Sequence, residues 1–361
     1  MQDPAVTYQY VLDTYPRGLH SHQTITNSCN RPWKAVTIDT YTNCMLCICD
    51  GWLPNPVGKI TDFARLEDIW TNHTAQTIQQ TVTDKKFTWC AVNHCGIANH
   101  NNYESVYQLI FGIDDSCNLQ CPSCRREKRM HVDGPLFAQK LQAVEHTVQL
   151  LNNFDQRIHV TLACSGDPLA SHIYRPLLWS YRGKPSQSFT LFTNGLLIKK
   201  QLENTALLPR ITEFRISTDA GSKAVYEQVR LGGKWESLME NFDFLHAYRQ
   251  SAGHNFAVNL PFVVQKNNFF DIDNFVDLCK KYNFRGSLTH LDDWGTWNRS
   301  PVADPDVWTI NNGTYLEHNV SDPGHPDYQE CRQRVQQARQ CQLISVTPRL
   351  AQLLELDNGS N

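Results

Sequence analysis

From Tyr103 onward, short runs of β-branched and aromatic residues alternate with stretches whose apolar positions recur every three or four residues. The runs predict strands at Val106–Ile113, His159–Ala163, Phe189–Phe192, Glu213–Ser217, Phe256–Val264 and Ser287–Leu291. Between the first two, Leu136–Leu151 sets Leu141, Val144, Val148 and Leu151 on one helical stripe. Leu238–Tyr248 and Ile272–Tyr282 repeat that pattern, and Arg332–Leu354 also reads as helical. Alternation of this kind builds an α/β domain with a parallel sheet. About six βα units make a partial (β/α)6 barrel rather than a closed eight-stranded one, with ligands expected at the carboxyl ends of the strands.

The 361 residues are 41% hydrophobic and 19% charged, enough to bury one large core or two smaller ones. A formal charge of -3 gives no footprint for a phosphate backbone, so nucleic acid is not an expected partner. Met1–Pro16 has neither a basic start nor an apolar core of the kind an export signal carries. No run reaches the ~18 apolar residues of a membrane span, so a cytoplasmic protein without a membrane partner is expected.

Cysteine usage changes the picture. Of thirteen cysteines, six (Cys29, Cys44, Cys47, Cys49, Cys90, Cys95) fall within Ser28–Gly96, and three more stand at Cys117, Cys121 and Cys124. Without an oxidising compartment, short spacings read as metal or cluster ligands, leaving Cys164 and Cys279 as core thiols. The expected organisation is a cysteine-bearing module over residues 1–100, a linker through Asn99–Asn102, a core over 101–300, and an extension over 301–361 packing on the barrel.

The loop Cys117-Asn118-Leu119-Gln120-Cys121-Pro122-Ser123-Cys124 follows the first predicted strand directly. Three thiolates at C-x3-C-x2-C spacing can hold three corners of a cubane iron–sulfur cluster and leave the fourth iron open to a small ligand. Zinc is the competing reading, although its structural sites usually take four ligands and only three are local here.

These residues resemble the signature of the radical S-adenosylmethionine (SAM) enzymes. The resemblance implies a 4Fe–4S cluster whose open iron takes the amino and carboxylate groups of SAM, and reductive cleavage of SAM to a 5′-deoxyadenosyl radical. Further along, Ser165-Gly166-Asp167-Pro168 is similar to the Gly-Gly-Glu-Pro-like segment that contacts the SAM amino group. Thr193-Asn194-Gly195 is similar to the family's Thr-Asn-Gly turn. Ser217-Thr218-Asp219 with Tyr226, Arg230, Gly232 and Gly233 resembles the S-x-D…Y-x-x-x-R-x-G-G segment of SPASM-type members. That likeness implies Ser217 and Arg230 on the SAM carboxylate. Ser123 replaces a commonly aromatic residue, which shifts the expected adenine contacts toward Val263 and Val264.

The order Cys29-x2-Pro32-Trp33, the trio Cys44, Cys47 and Cys49, then Gly58-Lys59-Ile60, Leu66-x-Asp68-Ile69-Trp70, Cys90 and Cys95 resembles a SPASM or twitch domain, placed before the core rather than after it. The resemblance implies an auxiliary 4Fe–4S cluster on Cys29, Cys90, Cys95 and one of the middle trio. Spacing from Pro32 favours Cys47, and a structural zinc site is the alternative. Asp292-Asp293-Trp294, after the sixth strand, is a candidate for substrate binding or proton handling, with a solvated capping loop as the other reading. His94, His100 and His131 read as surface residues. Cys331 and Cys341 read either as inert thiols or as metal or hydrogen-atom donors.

The resemblance implies hydrogen abstraction from a ribosomally made peptide, or else from a small metabolite or sugar, and an electron donor such as flavodoxin or ferredoxin. A non-catalytic iron–sulfur or zinc protein for binding or electron transfer is the reading from another class.

Overall fold

The computed structural model describes residues 25–47, 56–90, 95, 97, 101–125, 128–162, 166–202, 204–251, 256–292 and 315–356. Contacts divide the chain into two compact units, the first drawn from Met1–Ser116, Met130–Thr190 and Asn204–Ile211, the second from Cys117–Arg129, Leu191–Glu203 and Thr212–Asn361. The expected boundary at residue 100 is therefore not a boundary between units.

In the first unit the strands are β1 (Ala35–Ile38), β2 (Cys44–Leu46), β3 (Tyr107–Phe111), β4 (Ile158–Leu162) and the start of β5 (Gln187–Thr193), in the order β2-β1-β3-β4-β5. β1 runs parallel to β3, with Ala35 opposite Gln108 and Ile38 opposite Phe111, and β2 pairs antiparallel on the outer side. β1 and β2 of the N-terminal cysteine segment thus join the sheet that holds β3 and β4. Asn102, expected in a linker, is buried, and its backbone bridges Cys29 and bonds Ser28 and Asn30. Its amide also satisfies a buried position that a solvated linker would leave to water.

Helices α1 (His73–Thr83) and α2 (Gly134–Asn153) belong to this unit. Asn72 caps α1 by accepting from the Ala75 N–H at 3.0 Å, the usual repair of a helix start. Along α2, Lys140, Ala143, Val144, Thr147, Leu150 and Leu151 are buried at three- and four-residue spacing; of the stripe read from the sequence, Val144 and Leu151 lie on this face, while Leu141 and Val148 are half-buried at its margins.

The second unit carries the end of β5 and then β6 (Ile211–Ile216), β7 (Ala257–Val263), β8 (Arg285–Thr289) and β9 (Ile344–Val346), in the order β5-β6-β7-β8-β9. β6–β7, β7–β8 and β8–β9 are parallel. Its main helices are α3 (Lys223–Val229), α4 (Trp235–Ser251), α5 (Ile272–Tyr282), α6 (Tyr328–Ala338) and α7 (Pro348–Leu353). α5 ends on Asn283 in the left-handed conformation (φ 51°), a stop that asparagine tolerates.

All six predicted strands are present within a few residues. The single helix expected over Arg332–Leu354 is not. It is split by β9, where β-branched Ile344 and Val346 pair with β8, and Pro348 restarts the helix at a position that needs no N–H donor. Among the described residues, no helix is long and apolar enough to cross a membrane.

Candidate functional site

The cysteine loop belongs to the second unit and is closed at its base, where the Cys117 N–H donates to the Arg129 carbonyl at 2.7 Å. A turn at its tip has the N–H groups of Cys124 and Arg125 both donating to the Cys121 carbonyl (2.9 and 3.0 Å). Cys121 is buried, whereas Cys117 and Cys124 are half-buried. Two of the three thiols, Cys117 and Cys121, receive polar contacts, some from widely separated parts of the chain. The Leu119 N–H donates to Cys117 Sγ at 3.4 Å, and Asn194 Nδ2 lies 3.9 Å from the same sulfur and 2.8 Å from Asn118 Oδ1. Arg230 Nη1 lies 3.8 Å from Cys121 Sγ. Burial pushes the Cys121 thiol up, and the Arg230 charge opposes that. Donors aimed at sulfur suit thiolates that bind a cluster, since such contacts hold the charged form and tune its potential.

Arg230 is placed by the motif around it. α3 ends there, with the Arg230 N–H on the Tyr226 carbonyl (2.8 Å) and the Gly233 N–H on the Arg230 carbonyl (2.8 Å). Gly232 has φ +91°, a conformation side chains rarely adopt, and the turn delivers the Leu231 carbonyl to the Gln120 N–H at 3.1 Å. The guanidinium pairs with Asp219 at 2.6 Å through Nη2, while its buried Nε has no hydrogen-bond partner. A buried donor of this kind fits a carboxylate ligand. Asp219 itself has φ 54° and is fixed by the Val263 N–H on its Oδ1 (2.8 Å).

Of the other residues expected around SAM, Ser217 is half-buried at the end of β6, with its N–H on the Thr193 carbonyl (2.9 Å). Thr193 and Asn194 are buried and shape the turn that follows β5. Val264 is fully buried, and Val263 beside it is half-buried. Ser165 lies outside the described residues.

Gly166 and Asp167, in the first unit, have a structural explanation. A Cβ on Gly166 would lie 2.3 Å from the Ser116 carbonyl oxygen, so only glycine lets the chain pass there. The Asp167 N–H bonds that carbonyl at 2.7 Å, and Asp167 Oδ1 accepts from the N–H groups of Leu169 and Ala170 (2.9 and 3.3 Å). Oδ1 thus accepts from its own turn, as a short Asp side chain reaches the backbone two residues on.

The first unit also holds the N-terminal thiols. Cys29, Cys47 and Cys95 all bear on Cys90, whose thiol burial pushes well up, and Cys47 and Cys95 bear on Cys29, which burial pushes up to about 11. Cys44 stands apart: burial raises it, and its charged neighbours are Asp39 and Asp62 rather than other thiols. Cys47 adopts φ 81°, an uncommon backbone for a residue with a Cβ, held by its N–H on the Ala35 carbonyl (2.8 Å) and by Thr37 Oγ1 on its own carbonyl (3.0 Å). Asn102 Nδ2 donates to Cys95 Sγ at 3.2 Å. Trp33, Cys29 and Cys90 pack against an apolar cluster of Ile25, Val82, Phe87, Cys95 and Ile97. Cys49 lies outside the described residues.

Cys29 and Cys90, both raised by burial with Cys47 and Cys95 beside them, suit an all-thiolate metal centre. Among the described residues, the group of His, Cys, Asp and Glu ligand atoms drawn within 4.8 Å of one another is Asp114, Asp115 and His131.

Asp114, Asp115 and His131 escaped the sequence reading. His131, expected at the surface, is 19% exposed and bonds Asp115 Oδ1 through Nε2 at 2.7 Å. Lys140, 3% exposed on the inner face of α2, already supplies a cation at 3.0 Å from Asp115 and 3.6 Å from Asp114. Ser171 Oγ donates to Asp114 at 2.6 Å and the His131 N–H to Ser116 Oγ at 2.9 Å. This is a charged clamp on the exit of β3. An Asp-Asp pair at a strand end, with a lysine on the apolar stripe of the next helix, was its available signal.

Asp292 is more than half exposed and accepts from His290 Nε2 at 2.8 Å, a histidine the sequence reading missed. Asp293 and Trp294 lie outside the described residues, as do Cys164, His94 and His100. Cys331 is a fully buried core thiol that burial pushes up to about 12, and Cys279 is the same.

No family model matches the chain. A GTP 3′,8-cyclase from Alkaliphilus metalliredigens (strain QYMF) is 30% identical over 140 residues, covering 38% of this chain and 42% of the cyclase. The chain therefore matches less than half the length of that relative. Among solved structures, Streptococcus suis SuiB bound to precursor peptide SuiA is 14% identical with a TM-score of 0.44, over 91% of this chain and 75% of that one. A radical SAM methyltransferase from Sphaerobacter thermophilus is 13% identical with a TM-score of 0.39, over 66% and 64%. Both TM-scores fall below 0.5, so these two likenesses carry no functional conclusion.

Proposed function

We propose that this chain is a radical SAM enzyme, with Cys117, Cys121 and Cys124 holding a 4Fe–4S cluster at an α/β core of the partial-barrel type. The observation that carries this reading is the convergence on the cysteine loop of Asn194 and Arg230, the latter with a buried Nε in want of an acceptor. The similarity to a GTP 3′,8-cyclase supports it. Cluster and SAM together supply a 5′-deoxyadenosyl radical able to take hydrogen from an unactivated carbon.

The protein's own residues bind and orient. Arg230, held by Asp219 through Nη2, offers its buried Nε–H to the SAM carboxylate, and Ser217 adds a half-buried hydroxyl. Asn194 and the Leu119 N–H steady the Cys117 sulfur. Half-buried Val263, with Val264 beside it, offers the apolar contact to the adenine. Cys29, Cys47, Cys90 and Cys95 hold a second cluster, supported by their mutual coupling and by the exclusion of Cys44 from it.

A ribosomally made peptide is the first substrate class, on the resemblance of the N-terminal cysteine order to SPASM and twitch domains. A small nucleotide is the second reading, favoured by the cyclase similarity. The test is anaerobic reconstitution with iron counting and a 5′-deoxyadenosine assay after reduction. Roughly eight irons and product formation support the proposal, as two four-iron clusters require, and bound zinc without product overturns it. Deuterium transfer into 5′-deoxyadenosine from a labelled peptide or from labelled GTP separates the two substrate classes.

A further inference from the structure

Asn268 lies between β7 and α5, has no exposed surface, and commits its side-chain amide to backbone. Nδ2 donates to the Asp219 carbonyl at 3.0 Å and to the Val263 carbonyl at 2.9 Å, while Oδ1 accepts from the Gln265 N–H at 2.9 Å. Val263 and Gln265 are near neighbours in sequence, but Asp219 is 49 residues away, in the turn after β6. Asp219 and Val263 are joined a second time, by the Val263 N–H on Asp219 Oδ1 at 2.8 Å. These bonds hold Asp219 at φ 54°, an uncommon backbone for a residue with a Cβ. Further along the same turn, Asp271 Oδ2 accepts from the N–H groups of Gly221 and Ser222 (2.6 and 2.9 Å), and a Cβ on Gly221 would stand 2.0 Å from the Phe275 nitrogen. The turn is therefore fixed on the start of α5 from both ends. The Asp219 carboxylate it carries is the group that holds Arg230 at 2.6 Å.

We infer that Asn268 is a positioning residue for SAM, acting through Asp219 on Arg230, an inference that rests on the radical SAM reading. With the Asp219 carbonyl fixed by the amide and Oδ1 taken by the Val263 N–H, Oδ2 is the oxygen directed at Arg230 Nη2. The guanidinium is thus held by one nitrogen, and its buried Nε–H stays available to a ligand carboxylate. The same amide fixes the Val263 carbonyl, so the donor for the carboxylate and the apolar contact for the adenine keep a set spacing. Without the amide, Asp219 is free to leave the left-handed region and Arg230 turns with it. Its Nε–H must then be reoriented as SAM binds, which costs affinity rather than slowing the chemical step.

The experiment uses the full-length, anaerobically reconstituted protein. SAM affinity is read by calorimetry without reductant, and the SAM dependence of 5′-deoxyadenosine formation is read with dithionite. Asn268→Ala should weaken SAM binding and raise KM for SAM about tenfold, with kcat within about twofold of the parent and iron content unchanged. Tyr282→Phe removes a hydrogen bond to Asp243 (2.8 Å) far along α5, and it should lower the melting temperature without moving KM. The double variant Asn268→Ala with Arg230→Met should bind SAM no more weakly than Arg230→Met alone, because residues acting through one another are not additive. Additive losses, or a KM in Asn268→Ala within about twofold of the parent, overturn the inference. So does an equal rise in KM in Tyr282→Phe, which marks the effect as general loosening. If Asn268→Ala does not fold, Asn268→Ser, which keeps one donor, carries the same comparison with a smaller expected loss. A parent protein that neither binds nor cleaves SAM overturns the radical SAM reading itself, whereas a parent that does both beside an unaffected variant overturns the role of Asn268 alone.

Discussion

Arg230 stands between Asp219 and Cys121, 2.6 Å from the carboxylate through Nη2 and 3.8 Å from the sulfur through Nη1. Two buried charges pair well only when both remain. Replacing the arginine with an apolar side chain (Arg230→Met) strands the Asp219 carboxylate and should cost about 3–5 kcal/mol of stability. Arg230→Lys keeps the charge but loses the fork, so it should recover stability in part without recovering SAM affinity. Urea unfolding and SAM titration check both. A methionine variant within about 1 kcal/mol of the parent, the range of a surface pair, contradicts the burial argument.

Cys47 and Cys44 differ by three positions and should differ in role. Iron counting on reconstituted variants decides it. Cys47→Ala should lose about four of eight irons, whereas Cys44→Ala should keep them all, because Cys44 faces Asp39 and Asp62 rather than the thiol set. Full iron retention in Cys47→Ala would remove Cys47 from the ligand set, and equal loss in both variants would contradict the exclusion of Cys44.

Gly166→Ala forces a Cβ to within 2.3 Å of the Ser116 carbonyl and 2.6 Å of the Asp115 carbonyl carbon. Backbone cannot yield there cheaply, so the substitution should cost about 1–3 kcal/mol and lower the melting temperature. An unchanged melting temperature would mean the segment 166–167 is not packed on the exit of β3.

Burial raises the Cys279 and Cys331 thiols from an ordinary value of 9.0 to about 12 in each case. Between those values the unfolded chain loses protons that the folded chain keeps. Stability is therefore highest below pH 9 and falls as pH rises toward 12, by up to about 1.4 kcal/mol per pH unit for each thiol. Cys279→Ala should flatten that decline in the apo protein when melting is followed from pH 8 to 11. A slope equal to that of the parent would contradict it.

Much of this was legible in the sequence, for reasons particular elements make plain. The six strands from Tyr107 to Thr289 show themselves because buried positions need dense β-branched and aromatic residues, as Ile211–Ile216 does. Ile272–Tyr282 was readable to the residue because its apolar face is sharply one-sided. β1 and β9 were not, being only four and three residues long and set by pairing with β3 and β8 rather than by pattern. The cysteine loop and Arg230 announced themselves by spacing. The Asp114, Asp115, His131 and Lys140 clamp did not, because its members join through tertiary contact and a buried lysine looks like any other lysine in sequence.

Reductive SAM cleavage by Cys121→Ala, measured as 5′-deoxyadenosine after anaerobic reconstitution and dithionite reduction, tests the central claim most directly. The expected result is product from the parent protein and none from the variant, which should still retain about four irons at the N-terminal thiols. Product from Cys121→Ala at the parent's rate would contradict the assignment of the loop as the site of radical generation.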